Sequence, residues 1–145
     1  MSESLPHNAS HIKRALIEAG FEVFRTRNEE IVLAERPREN LIMDSGVRLR
    51  LATALEVRVV LRAQKADFPS EDEARIFERV RKLAERVLAA GFAEASTSIT
   101  RVADPGDPDR TLDTFYEITY AKTTAALPEA LAELKLAMTV EKRAE

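Results

Sequence analysis

Four arginines, Arg48, Arg50, Arg58 and Arg62, fall in one run, SGVRLRLATALEVRVVLRAQ, where they alternate with Val47, Leu49, Leu51, Leu55, Val57, Val59 and Leu61. Alternation with a period of two belongs to strands with one buried face, so the arginines share the exposed one. A guanidinium is a rigid fork of donors that matches a carboxylate or a phosphate with two hydrogen bonds at once. Arg48, Arg50, Arg58 and Arg62 are therefore the candidates for binding an anion or a partner. The same face also serves a plainer purpose, because charged side chains on a sheet discourage edge-to-edge aggregation.

The register of that hairpin follows from placing apolar residues opposite apolar ones. A loop over residues 52–54 sets Leu51 against Leu55, Leu49 against Val57 and Val47 against Val59. It also sets Arg50 against Glu56 and Asp44 against Arg62. Loops of this length usually carry a glycine in the left-handed region, and this one has none.

Other chemistry is sparse. The chain has no cysteine, and its two histidines, His7 and His11, stand four residues apart. Two such ligands do not make a metal site. With no histidine in the folded body and no thiol, the usual pairs of nucleophile and base are missing. The aspartates of DPGDPDR (104–110) lack the spacing of a calcium loop, and its glycine and prolines read as a turn. Four glycines leave no phosphate-cradling loop of the known kinds. The expectation is a protein without catalytic residues, cofactor or metal.

The whole-chain numbers bound the rest. A length of 145 residues suits one domain, expected over 10–145 behind a flexible arm at 1–9. A net charge of −3 argues against general binding to nucleic acid, which needs a basic footprint. No apolar run approaches the length that spans a bilayer, and the N-terminus lacks a signal pattern. A cytoplasmic protein with no membrane and no nucleic-acid partner is expected.

The elements around the arginines follow in order. A first helix, capped by Asn8 or Ser10 and carrying Ile12, Ala15, Leu16 and Ala19, closes at Gly20 and Phe21. A strand over 21–25, with Phe21, Val23 and Arg25 on one face, turns at Asn28 and Glu29 and returns until Pro37 stops it. After the arginine hairpin, Ser70 and Glu73 form a capping box for a helix of about 20 residues that ends at Gly91, with Phe92 folding back on Val87. The strand that follows, AEASTSITRV, is poor in bulk, so Ala95 and Thr97 are interface candidates where another surface approaches closely. Residues 111–122 supply its partner, with Leu112, Tyr116, Ile118 and Tyr120 on one face. In the last helix Leu127, Leu131, Leu134 and Met138 form the stripe, while Leu136 and Val140 fall off it and become further interface candidates.

The order α-β-β-β-β-α-β-β-α implies an α+β fold, an antiparallel sheet of five to six strands with three helices. The pieces EAGFEVF, EEIVLAER through LEVRVVLR, SEDEARIFERVRKLAERVLAAGF, the hairpin around DPGDP and LPEALAELKLAM appear in this order over nearly the whole chain. In topology and size it resembles the type III secretion chaperone-like fold, and within it the YbjN-like proteins. The resemblance implies a small acidic, homodimeric, non-enzymatic chaperone, adaptor or regulator that holds another polypeptide on apolar patches and exposed sheet edges. Two alternatives stand beside it: a roadblock-like regulator of a small GTPase, and a binder of an anion or small molecule, or an enzyme, that grips its ligand with the arginine face. The anion-binding reading calls for a concave pocket lined by these arginines; the chaperone reading calls for a flat or grooved apolar strip.

Overall fold

A computed structural model describes residues 8–145. His7 and most of the expected arm lie outside them. The elements are α1 (Ala9–Glu18), β1 (Val23–Arg27), β2 (Glu30–Arg38), β3 (Leu41–Leu51), β4 (Leu55–Gln64), α2 (Glu73–Lys82), α3 (Glu85–Ala89), β5 (Ala93–Asp104), β6 (Asp107–Thr124) and α4 (Leu127–Thr139). Among the described residues the strands form one six-stranded antiparallel sheet in the order β1-β2-β3-β4-β6-β5, and the fold is α+β with four α-helices where three helices were expected. The chain divides into two compact units: Met1–Val59 with Ala121–Thr139, and Val60–Tyr120 with Val140–Glu145.

In the first unit, Asn8 is the cap of α1, its side chain accepting from the His11 N–H at 3.0 Å, so the helix begins at Ala9, inside the expected arm. Gly20 at φ +97° lets the chain turn out of α1, and the Phe21 N–H donates to the Leu16 carbonyl at 3.0 Å. β1 and β2 are joined by Asn28 and Glu29, both at positive φ (49° and 63°), the geometry of a two-residue hairpin turn that matches strand twist.

Pro37 does not stop β2, which runs on to Arg38. It falls where the pairing with β3 is irregular, between Glu35↔Met43 and Arg38↔Leu41, a place where a missing N–H is tolerated. β3 and β4 pair as the sequence argued, with Val47↔Val59, Leu49↔Val57, Arg50↔Glu56 and Leu51↔Leu55. Their loop is closed by the Ala52 N–H donating to the Ala54 carbonyl at 3.2 Å, and none of its residues takes a positive φ. α4 packs against β3 with Ala130, Leu134 and Ala137 buried, a narrower stripe than the leucine one expected.

In the second unit, the long central helix is two pieces. At Leu83 and Ala84 the N–H groups donate to Val80 and Arg81, one residue short of the α-helical spacing, which tightens the turn and separates α2 from α3. Asp72, not Ser70, is the cap of α2, accepting from the Arg75 N–H at 2.9 Å. Gly91 at φ +98° and the Phe92 N–H on the Val87 carbonyl at 2.9 Å end α3 as expected. The second hairpin turns at Pro105 and Gly106 alone, so residues 107–110, read as loop, belong to β6. Tyr116, Ile118 and Tyr120 are buried, with Phe77 edge-on to Tyr116 at 5.4 Å, whereas Leu112 is 52% exposed.

Candidate binding site

The site is built from two rows of side chains on one face of the first four strands. Residues directly opposite each other in an antiparallel ladder share a face. One row is Arg27↔Glu30↔Arg50↔Glu56, alternating in sign across four strands. The neighbouring row is Arg25↔Val32↔Arg48↔Arg58. Arg25, Arg27, Arg50 and Arg58, with Asn28, Glu30 and Val32, line a concavity of about 320 Å³. Four cations and one carboxylate border it, on a chain whose net charge is −3.

Two local devices put these residues there. Val23 pairs with Leu33 and Arg25 with Val32, so Phe24 is an extra residue in β1. This bulge sends Arg25 to the face opposite Val23, correcting the expectation that the two share a face, and it leaves Phe24 36% exposed with the Arg25 guanidinium 5.6 Å from its ring centre. The second device is in β3. Val32 pairs with Arg48 and Ala34 with Asp44, so three residues of β3 face the single Leu33. Gly46 at φ +81° supplies the kink, the buried Ser45 hydroxyl donates to the Leu33 carbonyl at 2.7 Å, and Asp44 accepts from the Gly46 N–H at 2.8 Å. The Asp44 carboxylate thereby faces Arg48 at 2.7 Å and Arg25 at 3.9 Å.

The arginines differ in how far they are satisfied. Arg58 is held by Glu56 at 2.5 Å and Arg48 by Asp44. The Arg48 Nε is buried with no hydrogen-bond partner, the Glu30 carboxylate standing off at 3.8 Å. Arg27 and Arg50 make no ion pair among the described residues.

Of the four arginines expected from the sequence, Arg50 and Arg58 line the concavity and Arg48 lies in the row beside it. Arg62 belongs to the second unit, where Glu117 takes its guanidinium at 2.9 Å and Phe115 lies 5.6 Å beneath it; Asp44, its expected partner, is committed to Arg48. Arg25 and Arg27 were missed. Their alternation in FRTRNEE, just before a two-residue turn, was the available signal.

A second concavity, about 640 Å³, borders β1. Ile17 of α1, Phe21, Val23 and Phe24 supply its apolar wall, and Lys13, Glu22 and Arg25 its charged margin. Ile17 is 59% exposed. Among the described residues β1 is a terminal strand of the sheet and pairs only with β2, so within them the backbone groups of its outer edge are open to another strand. Glu22 holds the start of this edge by gripping Arg36 on β2 through two hydrogen bonds of 2.8 and 2.7 Å; those bonds lower the Glu22 pKa below its ordinary value.

Of the interface candidates, Ala95 and Thr97 are exposed on β5, where residues 93–103 are all exposed. Leu136 is half-buried, and Val140, at 5% exposure, belongs to the core and is no surface residue. Among the described residues, no group of three histidine, cysteine, aspartate or glutamate side chains is placed to hold a metal ion. No described helix is long and apolar enough to cross a membrane. No family model, no curated protein and no solved structure matches the chain.

Proposed function

We propose that this protein is a non-enzymatic polypeptide-binding module, a small acidic chaperone or adaptor, that takes an extended segment of its partner as an added strand on β1. The observation that carries this reading is an open strand edge beside a helix, with Ile17, Phe21, Val23 and Phe24 walling the groove between them. In strand addition the main chain supplies affinity and pockets for alternate side chains supply selectivity. A groove of about 640 Å³ falls in the range that accepts bulky apolar groups. The order of elements supports the reading too, because the chaperone-like proteins it resembles hold their clients on sheet edges. We assign the homodimer implied by the same resemblance to β5, a terminal strand of 12 residues of which 93–103 are all exposed.

The reading is tested by selecting peptides from a random twelve-residue library displayed on phage and titrating the synthetic winners against the purified protein. The expected result is a family of sequences with alternating apolar positions, binding in the micromolar range, about what a small transient interface delivers. Ile17→Glu, at an exposed helix position, should weaken those peptides at least about tenfold while leaving the melting temperature unchanged. Failure to enrich any family, or winners indifferent to Ile17→Glu and Phe24→Glu alike, would overturn the reading.

A further inference from the structure

We infer that the arginine concavity reads anionic side chains, carboxylate or phosphate, on the strand captured by β1, so that the preferred segment alternates apolar and acidic residues. The inference rests on the β1 reading and goes beyond it by naming the chemistry of the ligand.

Three observations converge. Arg25 borders both the apolar groove and the arginine concavity, so the two surfaces meet at one residue. Arg25 and Arg27 lie two apart on β1, on the face that carries Val32 and Glu30, whereas Val23, opposite Leu33, lies on the other face and lines the groove with Ile17. A strand added to β1 sits about 4.8 Å away, and its successive side chains point to opposite faces. Every second side chain is therefore brought beside Arg25 and Arg27, and those between are directed toward Ile17 and Val23.

The third observation is charge. Glu56 is committed to Arg58 and Asp44 to Arg48, while Arg27 and Arg50 hold no ion pair among the described residues. Glu30, directly between Arg27 and Arg50 in the row, is the carboxylate that lines the concavity, against four guanidinium groups. An acidic side chain entering from the added strand supplies the missing negative charge. A basic one meets like charge and is rejected.

The experiment is a fluorescence titration of four probes: a twelve-residue peptide alternating valine and glutamate, the same peptide with glutamine, the same with phosphoserine, and inorganic phosphate as competitor. The charged peptides should bind about tenfold tighter than the glutamine peptide, with an advantage that shrinks as salt is raised. The tighter of the two names the anion. Arg27→Ala with Arg50→Ala should abolish that advantage and leave the affinity for the glutamine peptide in place, while Arg62→Ala should change neither.

Equal binding of charged and glutamine peptides, or an advantage that survives loss of Arg27 and Arg50, overturns the inference and leaves the groove reading standing. The converse failure is distinct. Phosphate competition that depends on Arg27 and Arg50, with peptide binding indifferent to Ile17→Glu, means that the anion site is real and the β1 groove is not where the chain docks.

Discussion

Glu29 holds φ at +63°, a region that costs a residue with a Cβ about 1–2 kcal/mol and costs glycine nothing. Glu29→Gly completes an Asn-Gly turn, and after the entropy that glycine loses on folding it should stabilise the protein by about 0.5–1 kcal/mol in urea unfolding. Ser45 works the other way. Its buried hydroxyl joins the Leu33 carbonyl to the Val47 N–H, so Ser45→Ala leaves both without this partner and should cost about 1–3 kcal/mol in the same measurement. At this scale the sequence disclosed Arg50 and Arg58, because alternation alone puts them on a strand's outer face. It concealed the company they keep. The bulge at Phe24, which moves Arg25 to their face, has no residue signature. The bulge at Ser45 and Gly46 draws Asp44 onto Arg48 where simple pairing assigned it to Arg62.

Among elements, the β3–β4 pairing was legible because a slip of one residue would carry every apolar side chain to the wrong face. The two glycine-and-phenylalanine closures were legible for a similar reason, since a positive φ after a helix is easy for glycine alone. The break between α2 and α3 was not, because Leu83 and Ala84 continue the apolar spacing through a turn that tightens without changing which side faces inward. Nor was the choice of Asp72 over Ser70 as cap. Glu71 is drawn to Arg79 at 2.5 Å, and the Lys65 ammonium donates to the Glu71 carbonyl, which fixes the chain just ahead of the helix.

Three arginine–glutamate pairs of this kind give a dependence on acid. Hydrogen bonds from Arg79, Arg81 and Arg36 hold Glu71, Glu94 and Glu22 respectively below the ordinary carboxylate value of 4.5. A carboxylate whose pKa is lower folded than unfolded adds stability above the unfolded value, and that stability is lost as pH falls through the folded one. The melting temperature should therefore hold steady from pH 7 to about 5 and fall below 4.5, with Glu94→Gln showing a shallower fall. A profile identical for Glu94→Gln and the unaltered protein would remove this pair from the account.

For the molecule as a whole, the sequence carried the class and the order of elements, since period-two and period-3.6 patterns separate cleanly along the chain. Which strands are terminal depends on how the hairpins meet across the sheet, and that determines where a partner can add. β1 and β5 hold those positions. If β5 pairs two copies, light scattering should give twice the 16.2 kDa chain mass, and Thr97→Pro, at an exposed strand position, should return the protein to the monomer with its melting temperature little changed. A wild-type monomer at high micromolar concentration contradicts that assignment and leaves the β1 site untouched.

If β1 is the edge that receives a polypeptide, its outward backbone amides become hydrogen-bonded on binding. The most direct measurement is amide hydrogen exchange on the protein with and without a phage-selected peptide. The expected result is slowed exchange concentrated in Val23–Arg27 and the neighbouring turn of α1, with β5 unchanged. Protection that appears on β5 instead, or binding that slows no amide of β1, would contradict it.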